Sequence, residues 1–77
     1  MAGPPEEILI DARWLEPPEP LERVTPALAG LARGQLLRLL LHREPFPLYA
    51  QLRAQGFVHE TLPQADGTFV ILIHHAG

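Results

Sequence analysis

With 77 residues, 47% of them hydrophobic, and a net charge of −3, the chain has room for one domain around one modest core, is too apolar for a disordered segment, and lacks the basic footprint of a nucleic-acid binder. It contains no cysteine and no serine, which excludes disulfides, thiolate chemistry and a serine nucleophile. No apolar run approaches the ~20 residues of a membrane span, and Met1–Glu7 lacks the basic-then-apolar order of a signal peptide, so the expectation is a cytoplasmic protein with no nucleic-acid or membrane partner.

Residues 1–6 read as a loose, proline-containing N-terminus, and 7–77 as a single domain. Glu7–Asp11 is a short, nearly continuous apolar run, the pattern of a strand covered by helices. Pro18 and Pro20 suit the opening of a helix, where missing amide donors cost little. Leu21, Val24, Leu28 and Leu31 then recur at helical spacing and are expected to bury one face. Pro26 interrupts that segment, which predicts a kink or a second helical piece capped by Thr25; Gly34 is the expected stop. Leu36–Leu41 is bounded by Gly34 and Pro45 and reads as a buried strand. Pro45-Phe46-Pro47 opens a second helix that Gly56 closes. Phe57–Leu62 and Thr68–His74 form two further strands, with Asp66-Gly67 as a two-residue hairpin turn. The resulting order, βαβαββ, predicts an α/β two-layer sandwich: a four-stranded mixed sheet with two helices on one face.

Two motifs carry a family resemblance. Asp11-Ala12-Arg13-Trp14-Leu15-Glu16-Pro17-Pro18-Glu19-Pro20, placed between the first strand and the first helix, resembles the Asp-Ala-Arg-Gly-Leu-x-Cys-Pro-x-Pro run of small bacterial sulfur carriers of the SirA/TusA type. Pro17 stands where those proteins have their cysteine, so the resemblance implies the carrier fold while the persulfide chemistry has no atom to form on. The chain also resembles a group of uncharacterised bacterial domains that carry Glu-Pro-Pro-Glu-Pro in place of the cysteine motif and Arg-Glu-Pro-x-Pro-Leu-Tyr before the second helix. Here these are Glu16–Pro20 and Arg43–Tyr49. Some relatives are fused to haemerythrin-like modules, which implies a redox or nitrogen-oxide setting.

If the first two strands are parallel neighbours, the turn after the first and the loop after the second meet at one edge of the sheet, the edge that α/β proteins favour for ligand crevices. Arg13, Glu16, His42, Arg43 and Glu44 would then surround Trp14, Phe46 and Tyr49. Arginines and aromatics are the residue types that anchor interfaces, so these eight residues are the candidate binding site; the bland alternative is a solvated charge cluster beside core aromatics. A two-residue hairpin would set His59 opposite His74, and two imidazoles on one face could hold a transition metal such as zinc, copper or nickel. Such a pair lacks the third and fourth ligands of a typical zinc centre, and the bland alternative is histidines exposed on a strand. No phosphate-binding glycine loop or catalytic carboxylate pair is present.

The leading expectation is therefore a non-catalytic binding module on a carrier-like fold, with no cofactor, acting on a protein partner or through self-association across a partly apolar sheet face. Its rivals are a metal- or redox-associated ligand binder using the histidines, and an accessory subunit of an enzyme complex.

Overall fold

Alternation along the second and fourth strands decides the architecture. Leu37, Leu39 and Leu41 are buried while Arg38 and Leu40 between them are half-exposed, so the run has a buried face and an open one rather than being enclosed on both sides. The computed structural model describes residues 7–76; the expected loose stretch at 1–6 lies outside the described residues. In chain order the elements are β1 (Ile8–Asp11), α1 (Glu19–Ala29), β2 (Leu37–Leu41), α2 (Phe46–Ala54), β3 (Phe57–Pro63) and β4 (Phe69–His75). The strands form one mixed sheet in the order β1-β2-β4-β3. β1 and β2 are parallel, and β4 runs antiparallel to both β2 and β3. This is the βαβαββ sandwich that the sequence predicts.

The core lies between the sheet and the two helices. Val24 and Leu28 of α1, Leu48 and Leu52 of α2, and the inward residues Leu37, Leu39, Ile71 and Ile73 are all buried there. Each such side chain stabilises the fold by about 1.5–3 kcal/mol relative to exposure. His75 Nε2 donates to the Leu31 carbonyl at 2.7 Å, tying the end of β4 to the segment after α1.

Three local expectations are corrected. α1 runs through Pro26 as one helix, and the exposed Thr25 hydroxyl donates back to the Leu21 carbonyl at 2.8 Å instead of capping a new piece. The helix stops at Gly30, not Gly34, so Leu31 is buried from the following segment while Leu21 is left 44% exposed. Gly34 instead takes a left-handed φ of 83° in the turn before β2, a conformation glycine adopts without a Cβ clash.

The third correction moves a candidate site. The β3–β4 loop has three residues, not two. Gln64 N donates to the Thr68 carbonyl at 2.8 Å and Gly67 N to the Gln64 carbonyl at 3.1 Å, with Gly67 at φ 87°. This is a turn over Ala65-Asp66 followed by a left-handed glycine bulge. Asp66 Oδ1 locks it by accepting from the Thr68 amide at 2.9 Å and its hydroxyl at 2.6 Å. The extra residue slips the register by one, which sends every side chain to the other face. His59 therefore faces Ile73, and His74 faces Val58. His59 sits on the helix-covered side and His74 on the open side, so the two cannot share a metal ion.

Candidate functional site

Because β1 and β2 are parallel, their carboxyl ends deliver Ala12–Pro18 and His42–Pro45 to one edge of the sheet. Ala12 is fully buried there, and its amide extends the ladder by donating to the Leu40 carbonyl at 2.9 Å. The chain then reverses at Trp14, whose φ of 69° is left-handed. The sulfur-carrier pattern has glycine at this position; an L-residue with a Cβ pays roughly 1–2 kcal/mol to adopt it. Two contacts hold Trp14 in place. Its amide donates to His42 Nδ1 at 2.8 Å, and its ring stacks on that imidazole at 5.1 Å. An imidazole that accepts at Nδ1 in this way carries its proton on Nε2. Trp14 nonetheless remains 72% exposed.

Arg13 turns away from this pair. Its Nε and Nη2 donate to Asp11 Oδ1 and Oδ2 at 2.9 and 2.8 Å. That fork, with the Arg13 amide adding a third bond, pulls the Asp11 carboxyl from 3.8 down to about 2. Arg13 lines a shallow depression on the open side of the sheet, beside Leu40 and the Asp66 turn. Glu16 contributes its carbonyl, which accepts from the Glu19 amide at 2.9 Å as α1 begins; its side chain is exposed.

Between the two helices lies a cleft of about 460 Å³, within the range of small-ligand sites. Leu39 and Leu41 form its floor, Leu21 and Val24 of α1 one wall, and Pro47 and Leu48 of α2 the other. Pro17, at the place of the carriers' cysteine, lines it as well, as do His42, Arg43 and Glu44. Prolines open both helices, where their missing amides cost little. Leu21, on the wall, is 44% exposed; Trp14 (72%) and Phe46 (67%), exposed as well, do not line the cleft but adjoin its lining residues Leu15, Pro45 and Pro47 in the chain.

Tyr49 lies between α2 and β3, half-buried against the core, and does not line the cleft. Its hydroxyl donates to Glu44 Oε2 at 3.0 Å and shares a short hydrogen bond with Thr61 Oγ1. The ring stacks on His59 at 4.3 Å and meets Phe46 edge-on at 6.0 Å. Burial pushes the phenol upward from 10.0.

Of the eight sequence-predicted residues, the structure thus joins Trp14 to His42, and Glu44 to Tyr49 beside Phe46, with Arg43 on the cleft wall. Arg13 and Glu16 stand apart. Sequence reasoning missed the apolar lining, since Leu21, Val24, Leu39 and Leu48 carry a core signal and nothing that distinguishes a core residue from a cleft wall. Among the described residues, no three His, Cys, Asp or Glu side chains converge as metal ligands, and no helix is long and apolar enough to cross a membrane.

Comparison with known proteins places this geometry. A family model described as uncharacterized conserved protein (DUF2249) matches residues 9–75. The crystal structure of a SirA-like protein from Desulfitobacterium hafniense is similar at a TM-score of 0.78 and 25% sequence identity, covering 91% of this chain and 99% of that one. No curated protein matches the chain.

Proposed function

We propose, from the premise that the chain belongs to the DUF2249 family of uncharacterized conserved proteins and has a SirA-like fold, that it is a non-catalytic interaction module whose inter-helix cleft seats an apolar segment of a partner protein. The observation that carries this reading is an apolar cleft with Leu21 44% exposed on its wall, and with Trp14 and Phe46 exposed next in sequence to its lining residues Leu15, Pro45 and Pro47. Large side chains left in water beside a concave apolar surface are the usual anchors of a protein interface. Trp14 strengthens the reading: it occupies a left-handed position at which glycine is unstrained, yet most of its ring is exposed. Strain retained at an exposed side chain points to what that side chain meets.

The polar groups around the cleft support binding over chemistry. His42 Nδ1 is engaged by the Trp14 amide and Glu44 by the Tyr49 hydroxyl, so both act as fasteners of the edge. Pro17 offers no nucleophile at the position where the carriers hold their cysteine.

The test is to replace Phe46 with a photo-reactive benzoylphenylalanine in the source cells and irradiate. Discrete protein adducts that Leu21→Glu abolishes are expected, because Leu21 is exposed and its replacement leaves the fold intact. Adducts indifferent to Leu21→Glu, or none at all, would overturn the proposal.

A further inference from the structure

Among the described residues, both helices pack on one face of the sheet, and no element covers the other. The observed register fixes what that open face carries. Across β1, β2, β4 and β3, one row reads Leu9, Arg38, Leu72, Glu60 and the next reads Asp11, Leu40, Val70, Leu62. A third row sets His74 beside Val58, with Leu36 next in line on the β2 side. Leu9 is 61% and Val58 43% exposed. An apolar sheet face of this kind, with few charges among β-branched and leucine side chains, is a covered surface in most proteins.

We infer that this open face is a homodimer interface, formed with a second copy of the chain about a two-fold axis running along β4. The argument is one of self-complementarity, which any isologous interface requires. An axis along β4 lays that strand over its own copy and β2 over the partner's β3. Leu72 then meets Leu72 and Val70 meets Val70 of the other copy. Leu40 meets Leu62, and Leu36 meets Val58. The same operation sets Arg38 against Glu60 twice, once on each side of the axis. A single axis therefore matches apolar to apolar and cation to anion in the rows of Leu72 and Val70; in the third row it sets His74 against its own copy, between two Leu36–Val58 contacts.

The remaining charges are consistent with this placement. Glu60 makes no ion pair among the described residues. Arg38 uses its Nε on Glu7 at 2.6 Å, which leaves the other guanidinium N–H groups to meet a second carboxylate. Asp11 lies beyond the overlap on β1 and is already neutralised by Arg13. Two sheets meeting this way pack aligned, about 10 Å apart. Three overlapping strands, β2, β4 and β3, at ~4.8 Å and up to seven residues at ~3.3 Å give a shared face of roughly 14 by 23 Å, below the size of stable specific interfaces. The dimer is accordingly weak and concentration-dependent. It is independent of the cleft, which opens at the helix-bearing side of the sheet edge.

Sedimentation of the full chain across the micromolar range tests this. Wild type is expected to pass from monomer to dimer, and Leu72→Glu to remain monomeric with an unchanged far-UV circular dichroism spectrum. Glu60→Arg sets like charges against Arg38 and is expected to weaken association roughly tenfold or more, while Glu60→Arg combined with Arg38→Glu restores it. Leu21→Glu, in the cleft, is expected to dimerise as wild type does. A wild-type chain that stays monomeric throughout would overturn the proposal, as would a dimer broken by Leu21→Glu and spared by Leu72→Glu. A charge swap that fails to restore association would overturn the axis.

Discussion

Replacing Trp14 by alanine and by glycine separates the backbone at the candidate edge from its side chain. Both substitutions remove the ring and its stack on His42 at 5.1 Å, a loss of about 0.5–1.5 kcal/mol common to the two. They differ at the backbone, because φ at position 14 is 69°. Alanine retains the left-handed penalty of roughly 1–2 kcal/mol, whereas glycine is free of it and gives back about 0.5–1 kcal/mol through its more flexible unfolded chain. Trp14→Gly should therefore be more stable than Trp14→Ala by about 0.5–1 kcal/mol, or several degrees in Tm, at ~4–8 °C per kcal/mol for a domain of this size. In an ordinary helix or strand the same comparison has the opposite sign, so the sign itself is diagnostic. Urea and thermal unfolding followed by far-UV circular dichroism measure it without the lone tryptophan. Alanine equal to or better than glycine would refute the argument that position 14 is strained and that its tryptophan is held there for its exposed ring.

Leu52→Ala, at a position with no exposure, should cost about 2–5 kcal/mol in urea titrations, a large share of the stability of so small a domain. Gly67→Ala meets nothing within 4 Å and has φ 87°, so its destabilisation, about 1 kcal/mol, is purely conformational. Asp11 falls from 3.8 to about 2 on folding, and Asp66 is also lowered, first by the Thr68 hydroxyl. A depressed carboxyl contributes stability that is present above its unfolded value and lost as pH falls through its folded one. Asp11→Asn should thus be less stable than wild type at neutral pH, with the gap closing between about pH 4 and 2 in acid titrations. The single tyrosine, Tyr49, is raised above 10.0 by burial, so its ultraviolet titration should lag that of the urea-unfolded chain, and stability should fall as pH rises past 10.0 toward the folded value.

Much of the fold was legible because its signals are local. The apolar run Ile8–Ile10, the prolines opening both helices, the leucine run of β2 and the Asp66-Gly67 turn each depend on a few neighbouring residues, and together they gave the element order. Reading failed where the outcome depends on counting or on competition. One extra loop residue, Ala65, changes no propensity, yet it moves His59 and His74 to opposite faces. Pro26 disfavours a helix interior, but Val24 and Leu28 on either side are buried against the sheet, and that packing carries the helix through the proline.

The sequence by itself determined the absence of a thiol and the two-layer architecture, because composition is absolute and hydrophobic periodicity is read residue by residue. Only the tertiary structure decided that β1 and β2 are parallel neighbours and so bring the Trp14 and His42 segments to one edge, that Trp14 is left-handed and stacked on His42, that a cleft opens between the helices, and that, among the described residues, one face of the sheet is uncovered with Arg38 and Glu60 in a single row. Those features depend on the relative placement of segments distant in the chain, and local propensity carries no information about the distance between them.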